Sequence, residues 1–171
     1  MSTEKEVSIM MWPNSTICVS NQVLQWMDFE VVSLQYQTLL RRLHGESLWV
    51  SPFFFRELLN SNDDVISFVI SENQLVAMAQ ASRVKVLSAF QAVVNNVAVR
   101  EGFDGKGFGR QAMTALESMI KFRWSCWMTG IVIFFTNSPL KNNAGFYKSL
   151  GYKARGEMSE KPTIVWVKHI F

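Results

Sequence analysis

The sequence has few cysteines, little net charge and no long hydrophobic run. Its two cysteines, Cys18 and Cys126, stand far apart without a CxxC partner, which excludes a disulfide framework or a zinc site and predicts two reduced thiols. Apolar runs such as residues 131–135 fall far below the roughly 20 residues that span a bilayer. The segment MSTEKEVS has no apolar stretch, so no secretory signal is expected. These absences favour a protein of the cytoplasm with no membrane partner and no bound metal.

Charge and composition narrow the class further. Seventeen Lys and Arg against fourteen Asp and Glu give a net charge of +3, which is too mild to indicate a nucleic-acid partner. The apolar fraction of 49% and the charged fraction of 18% exclude a disordered chain, a collagen and a charged coiled coil. A chain of 171 residues suits one domain, residues 1–171, that buries roughly 70% of its unfolded surface on folding.

The order of predicted elements favours an α/β fold, a mixed sheet with helices on both faces. A helical pattern runs from Asn21 to Gly45, and Ser51 with Pro52 begins a shorter helix. Residues 8–12 and 16–20 are each compatible with a first strand, with a turn between them. A hairpin and then a β-α-β unit follow. The remaining predicted elements are strands at 65–70, 75–87, 92–99, 131–136, 152–154 and 163–168, and helices from the glycine loop to about 122 and at 143–150.

A loop with glycine at every second position joins the strand predicted at 92–99 to the next helix. Gly105, Gly107 and Gly109 let the backbone approach a ligand, and the free N–H groups of the helix start suit an anion. A Walker A loop is excluded because Lys106 is followed by glycine rather than by Ser or Thr. A dinucleotide loop is disfavoured because GxGxG replaces GxGxxG and residues 122–128 supply no acidic partner. A plain tight turn and the pyrophosphate loop of acyl-CoA-dependent acetyltransferases remain.

Two segments resemble the motifs of the GNAT superfamily of N-acetyltransferases. Residues 96–113 are similar to motif A, a strand followed by Arg/Gln-x-x-Gly-x-Gly/Ala and a helix. Residues 143–152 are similar to motif B, and their Asn-x-x-Phe-Tyr spacing resembles the glucosamine-6-phosphate N-acetyltransferase branch. With the preceding hairpin, the motifs cover about residues 64–154. The resemblance implies a GNAT-like acyl-CoA N-acyltransferase fold, whose mostly antiparallel central sheet splays at the cofactor cleft, with helices on both faces.

The resemblance also implies roles for the matching residues, with acetyl-CoA as the cosubstrate. The pantetheine arm would pair with the backbone of the splayed strand and with Asn143, and the pyrophosphate with N–H groups of the loop. A backbone N–H near Val97 would hold the developing oxyanion. Tyr147 would protonate the departing CoA thiolate, since a phenol near about 10 and a thiol near about 8.5 have sufficiently close pKa values. The implied cofactor-binding residues are Val97, Ala98, Val99, Gly105, Lys106, Gly107, Phe108, Gly109, Arg110 and Asn143.

Two positions depart from the family's pattern. Asp104 stands where the family usually has Arg or Gln, and a carboxylate repels a pyrophosphate unless it points away. Asn95 and Asn96 stand where the glucosamine-phosphate branch has Glu-Asp, and an amide cannot take a proton from an ammonium group. Neither the base nor the sugar substrate of that branch is therefore expected here.

Several candidate residues also have a purely structural interpretation. Apart from its motif, Tyr147 would be a core tyrosine, and Asn143 would serve as a helix N-cap. His44 lies where the family places acceptor-binding residues, although a surface histidine is the favoured interpretation. An aromatic cluster favours packing or an oligomer surface, which leaves a homodimer open. Its members are Phe122, Trp124, Trp127 and Met128.

The sequence therefore predicts an acetyl-CoA-dependent N-acetyltransferase that acetylates a primary amine by direct attack, with Tyr147 as general acid. Direct attack is favoured because neither cysteine has a histidine neighbour in the sequence. A small-molecule amine is favoured over a protein amine because no tail or reader domain accompanies the motifs. A non-catalytic acyl-CoA-binding regulatory module and a nucleotide-binding module remain as alternatives.

Overall fold

The computed structural model describes residues 10–12, 15–86, 89–124, 128–136, 144–158 and 163–168. A 3₁₀ helix covers Ser20–Gln25. The α-helices in these ranges are α1 (Phe29–His44), α2 (Pro52–Asn60), α3 (Phe108–Trp124) and α4 (Ala144–Ser149). The strands are β1 (Met10–Trp12), β2 (Ser15–Val19), β3 (Asp64–Ser71), β4 (Gln74–Val86), β5 (Ala89–Val99), β6 (Met128–Thr136), β7 (Lys153–Met158) and β8 (Thr163–Lys168).

The strands of the described ranges form one sheet in the order β1-β2-β3-β4-β5-β6-β8-β7. Within it β5 and β6 are parallel, and the other neighbouring strands are antiparallel. The parallel pair and α3 are the predicted β-α-β unit. The mixed, mostly antiparallel sheet confirms the predicted fold class. Both candidate first strands form, and they pair with each other as β1 and β2.

Local sequence signals account for several element boundaries. The Ser51 hydroxyl accepts a hydrogen bond from the Phe54 N–H at 3.0 Å and caps α2 as predicted. Glu72 and Asn73 both adopt positive φ, 53° and 61°, in the tight turn between β3 and β4. The prediction of a single helix from Asn21 was wrong in one respect. It is a 3₁₀ helix followed by α1, because Asp28 takes an extended conformation and starts a new helix.

Helices cover both faces of the sheet, because the central strands are apolar on both sides. Ile66 and Phe68 of β3 lie in the core beneath α1 and α2, whereas Val65 lies in the core beneath α3. On the α3 side, the Ser67 hydroxyl donates to the Ala112 carbonyl of α3 at 2.6 Å. This packing brings the start of α3 to the end of β5, while the last turn of α1 lies over the opposite face of β5.

Candidate active site

The sheet opens between β5 and β6. The parallel pairing of these strands extends as far as Val94 of β5. Beyond that point β6 continues to Thr136 against β8, while β5 continues to Val99 against β4. The described structure therefore has a strand opening from Asn95 onward, at the position where the resemblance implies a splay.

A β-bulge at Asn95 marks the start of this opening. Ala81 of β4 pairs with Val94, and the next residue, Gln80, pairs with Asn96, so Asn95 is an extra residue in β5. A bulge bends its strand and increases the local twist. The bulge thus provides a physical reason for β5 to turn away from β6 at this residue.

The backbone groups of Val97 and Val99 point into the opening. Arg100 donates its N–H to the Val76 carbonyl of β4 at 2.7 Å. Because alternate residues of an antiparallel strand direct their polar groups to opposite edges, Val97 and Val99 direct theirs away from β4. The Arg42 guanidinium of α1 donates to the Val99 carbonyl, in agreement with this direction.

The glycine loop ends in the exposed N-terminus of α3. Gly105 and Gly107 adopt positive φ, 74° and 83°, a backbone conformation that residues with a Cβ rarely take. The first hydrogen bond at this helix start runs from the Gln111 N–H to the Gly107 carbonyl at 3.1 Å. In the part of the chain that the structure describes, the N–H groups of residues 104–110 donate to no backbone carbonyl. The loop therefore presents several hydrogen-bond donors and the positive end of the α3 dipole.

Gly109 allows three elements to meet closely at this point. A Cβ on Gly109 would lie 3.3 Å from Cγ2 of Val99 and 3.5 Å from the ring of Phe146. The first turn of α3 is thus held against both β5 and α4. This close approach, rather than a positive φ, explains a glycine at this position.

A cavity of about 480 Å³ lies where the strand opening, the glycine loop and α4 meet. Lys106 is not among its lining residues, and its Nζ lies 5.1 Å from the Phe103 ring centre instead. Asn143 lies outside the described residues. The cavity brings together these predicted site residues: Val97, Ala98, Val99, Gly105, Gly107, Phe108, Gly109, Arg110 and Tyr147.

Tyr147 lies on α4 and is only 3% exposed, although it lines the cavity. Its ring packs edge-on against Phe146 and Tyr152, at 5.0 and 6.0 Å between ring centres, and lies 6.2 Å from Trp166. Burial raises the pKa of Tyr147 above its ordinary value of 10.0. The phenol therefore keeps its proton throughout the neutral range.

Four cavity residues were missed by the sequence analysis: Arg42, Leu43, Phe103 and Phe146. Arg42 is the most consequential of them. Its Nη2 lies 2.9 Å from Oδ2 of Asp104, and its Nη1 donates to the Val99 carbonyl. Asp104 does not point away from the opening, and its carboxylate is neutralised by this partner. No local pattern could have linked Arg42 to the glycine loop, because the two are distant in sequence and meet only in the folded chain.

His44, at the end of α1, is not an isolated surface residue. Its Nε2 lies 2.7 Å from Oδ1 of Asn96, and Nδ2 of Asn96 donates to Oε1 of Gln80 at 3.3 Å. The Tyr36 hydroxyl donates to the same Gln80 oxygen at 2.7 Å. The ring of His44 remains exposed. The other amide, Asn95, instead donates to the Ser82 hydroxyl at 3.1 Å.

Other predicted residues have structural roles or are not described. Cys18 is a free, buried thiol as predicted, and burial raises its pKa to about 12. Trp124 is buried, and its indole N–H donates to the Asn62 carbonyl at 3.1 Å, so its packing role is confirmed. Cys126 and Trp127 lie outside the described residues. None of the described helices is long and apolar enough to cross a membrane, and the described residues contain no cluster of His, Cys, Asp or Glu suited to a metal ion.

Comparison with protein families identifies the class. The sequence model of the Acetyltransferase (GNAT) domain family matches residues 63–154, more than half of the chain. The chain therefore belongs to the GNAT acetyltransferase family and is an N-acetyltransferase. No curated protein matches the sequence significantly. The glucosamine-6-phosphate branch is not singled out by these findings.

Solved structures of other acetyltransferases share the fold over most of the chain. The ribosomal-protein-S18-alanine N-acetyltransferase from Escherichia coli has a TM-score of 0.62 and 15% identity, covering 91% of this chain and 94% of that one. PaiA N-acetyltransferase from Thermoplasma acidophilum, in complex with coenzyme A, has a TM-score of 0.62 and 9% identity, covering 90% of this chain and 98% of that one. An aminoglycoside 6'-N-acetyltransferase complexed with coenzyme A has a TM-score of 0.65 and 18% identity, covering 85% of this chain and 95% of that one. At these identities the similarity shows the fold.

Proposed function

We propose that this enzyme transfers the acetyl group of acetyl-CoA to a primary amine of a small molecule by direct attack. One observation carries the proposal: the free edge of β5, the glycine loop and Tyr147 line the same cavity. These are the three parts that such a transfer needs, namely a binding edge for an amide-containing arm, donors for a pyrophosphate, and a hydroxyl near the leaving group. The two acetyltransferases with coenzyme A cited above share this fold and support the choice of cosubstrate.

The residues at the opening fit the chemistry of coenzyme A. The backbone groups of Val97 and Val99 can pair with the amides of a pantetheine arm, and a backbone N–H near Val97 can stabilise charge that develops on the acetyl oxygen. The N–H groups of residues 104–110 can hold the pyrophosphate, with positive charge supplied by Lys106 and Arg110. Because Arg42 occupies the Val99 carbonyl, binding through that carbonyl requires Arg42 to release it. A pantetheine contact from Asn143 stays a prediction.

Tyr147 is proposed as the proton donor to the departing thiolate. Burial raises the pKa of Tyr147. The gap between this pKa and the ordinary thiol pKa of about 8.5 is therefore wider than it would be for an exposed phenol. Early transfer of the proton would therefore be uphill, and the hydroxyl acts first as a hydrogen-bond donor to the sulfur. The proton moves only as the C–S bond breaks and negative charge accumulates on that atom.

The charges around the acceptor end favour a small amine over a cationic peptide. The described side chains there are the imidazole of His44 and the amides of Asn95 and Asn96. Arg42 and Asp104 compensate each other. A peptide rich in Lys or Arg would meet no acidic groove among these residues. The two amides also argue against the phosphosugar branch that motif B resembles, because they replace its acidic pair.

The first experiment is calorimetric titration of acetyl-CoA into the protein, with ATP and NAD as controls. The expected result is micromolar-range binding of acetyl-CoA alone, which corresponds to roughly 8 kcal/mol. Binding of ATP or NAD in place of acetyl-CoA would favour the nucleotide-binding alternative. If folded protein binds no acetyl-CoA, the assignment of the glycine loop is wrong.

Turnover is tested next with spermidine, kanamycin and benzylamine as acceptors. Tyr147→Phe should lower kcat by about 10²-fold and leave the affinity for acetyl-CoA unchanged, because only the reacting hydroxyl is removed. Tyr152→Phe is the matched control, since Tyr152 is equally buried beside Tyr147 but does not line the cavity. Acetyl-CoA binding without acetylation of any amine, unchanged by Tyr147→Phe, would instead indicate a binding module.

A further inference from the structure

We propose that His44 takes a proton from the ammonium group of the acceptor, and that a hydrogen-bond chain anchored in the core holds its ring in place for this step. The inference rests on the proposed function, because it assigns a residue to the acceptor half of the same site. It is carried by three hydrogen bonds that lead from the core beneath α1 to the exposed ring of His44.

The position of His44 along the opening follows from two contacts of α1. As α1 advances from Arg42 to His44, its contacts on β5 move back from Val99 to Asn96. Val99 adjoins the glycine loop, so Arg42 marks the pyrophosphate end. Asn96 directly follows the bulge at which the strands separate. His44 is not among the residues that line the cavity, but its contact with Asn96 places it beside the narrow end of the opening, where the thioester would lie and the acceptor would arrive.

The hydrogen-bond chain determines which ring nitrogen is basic. In the amide orientations of the structure, Oε1 of Gln80 accepts from the Tyr36 hydroxyl and from Nδ2 of Asn96. This leaves Oδ1 of Asn96 facing Nε2 of His44 at 2.7 Å. A carbonyl oxygen can only accept, so Nε2 carries the hydrogen and Nδ1 keeps its lone pair.

The anchor of the chain is rigid. Tyr36 and Gln80 are 2% and 5% exposed, and the Tyr36 ring stacks on Phe55 at 4.4 Å between ring centres. Gln80 and Asn96 are also direct partners in the register of β4 and β5. Tyr36, Gln80 and Asn96 are therefore positioning residues, and His44 is the group that would touch the acceptor.

The proposed step balances in protons and bonds. An N–H bond of the acceptor ammonium breaks, and an N–H bond forms at Nδ1 of His44. The freed amine then attacks the thioester, so that a C–N bond forms as the C–S bond breaks and the thiolate receives the Tyr147 proton. The second amine proton returns to the Tyr147 oxygen through solvent, and the imidazolium releases its proton to water. A neutral imidazole suits this work near neutral pH, whereas the amides of Asn95 and Asn96 cannot perform it.

His44→Gln is the deciding variant, because glutamine can still donate to Asn96 but has no basic nitrogen. With saturating acetyl-CoA and spermidine, kanamycin or benzylamine as acceptor, kcat/KM for the amine should fall by about 10²-fold. The affinity for acetyl-CoA, measured by calorimetry, should not change. Free imidazole added to His44→Ala should restore activity by about tenfold, since it supplies the missing base. Wild-type kcat/KM in His44→Gln would overturn the proposal.

The positioning chain has separate readouts. Asn96→Leu should lower kcat by about tenfold without changing KM for acetyl-CoA, and Asn96→Asp, which still accepts from Nε2, should lose less. Nitrogen chemical shifts of His44 should identify the Nε2–H tautomer, and an Nδ1–H tautomer would overturn the assignment. A wild-type enzyme that binds no acetyl-CoA or acetylates none of the three amines would overturn the proposed function together with this inference. An active enzyme sensitive to Tyr147→Phe but not to His44→Gln would overturn this inference alone.

Discussion

Arg42 and Asp104 are 62 residues apart in sequence, and their side chains meet with Nη2 2.9 Å from Oδ2 at the edge of the opening. The pair explains how a carboxylate can stand at position 104, where the family usually has Arg or Gln: the Asp104 charge is compensated by Arg42. The two side chains are 38% and 61% exposed, so the pair contributes only about 0–1 kcal/mol to folding stability. Its consequence is therefore expected in ligand binding.

Arg42→Ala should weaken acetyl-CoA binding by about tenfold, which is about 1.4 kcal/mol. The variant leaves the Asp104 carboxylate unpaired beside the loop N–H groups that are proposed to hold the pyrophosphate, and the two negative charges would repel each other. It also frees the Val99 carbonyl, but a single neutral hydrogen bond offsets only about 1 kcal/mol of this loss. Calorimetry measures the change in Kd.

The matched control is Asp104→Asn in the Arg42→Ala background. Removal of the unpaired charge should recover most of the lost affinity, and the free energy of unfolding should change by less than about 1 kcal/mol in both variants. Wild-type affinity in Arg42→Ala would show that Asp104 does not act on the pyrophosphate.

Gly107→Ala should weaken both folding and cofactor binding. The φ of 83° at Gly107 is costly for alanine, by about 1–2 kcal/mol, even though a Cβ there would meet no other atom within 4 Å. If the loop relaxes to relieve this strain, its N–H donors lose their common direction. Gly145→Ala is the control, because Gly145 lies in α4 with open space around it and no positive φ. Thermal melts and calorimetry should separate the two variants, and equal behaviour would contradict the prediction.

Stability should fall at alkaline pH because buried groups cannot ionise in the fold. Burial raises the pKa of Tyr36, Tyr147 and Tyr152 above 10.0 and raises that of Cys18 from 9.0 to about 12. Since the folded pKa values exceed the unfolded ones, the stabilisation is complete below about pH 9 and is lost as the pH rises. The loss should begin with Cys18 and steepen above about pH 10, each group contributing at most about 1.4 kcal/mol per pH unit.

Urea unfolding followed by tryptophan fluorescence measures this decline. Tyr152→Phe should make it less steep, because one buried ionisable group is removed. Phenolate absorbance should appear only together with unfolding. A free energy of unfolding that stays constant from neutral to strongly alkaline pH would contradict the prediction.

Lys168→Met should destabilise the fold by about 1–3 kcal/mol. Nζ of Lys168 lies 2.8 Å from Oε2 of Glu117 and 2.6 Å from the Leu150 carbonyl, so it joins β8 to α3 and to the end of α4. Glu117 is only 16% exposed and would be left without this partner beside Tyr152. The effect should exceed that of Asp63→Asn, which breaks a more exposed pair with Arg83.

Glu117→Gln in the Lys168→Met background is the second arm of this measurement. It removes the unpaired charge and should recover part of the stability, as read from urea midpoints. No recovery would assign the loss to the Leu150 contact instead.

The elements of this fold were predictable where local physics decides them. Ser51 caps α2, Glu72 and Asn73 form the hairpin turn, and the glycine loop runs into α3, all as the residue types predict. The split of the first helix was not predicted, because an apolar 3.6-residue period continues across the turn before Asp28. Periodicity reports which face is buried and does not report where the chain turns.

The sequence by itself determined the class of fold, the glycine loop that runs into α3, and the helix α4 that carries Tyr147, because each of these depends on residues close together in the chain. Only the tertiary structure decided which residues Arg42 and His44 contact. Arg42 meets Asp104 and His44 meets Asn96 because α1 lies across β5, a docking set by the core around Tyr36 and Phe55. Such contacts depend on the packing of whole elements, and a linear pattern of residue types carries no information about which distant side chains that packing joins.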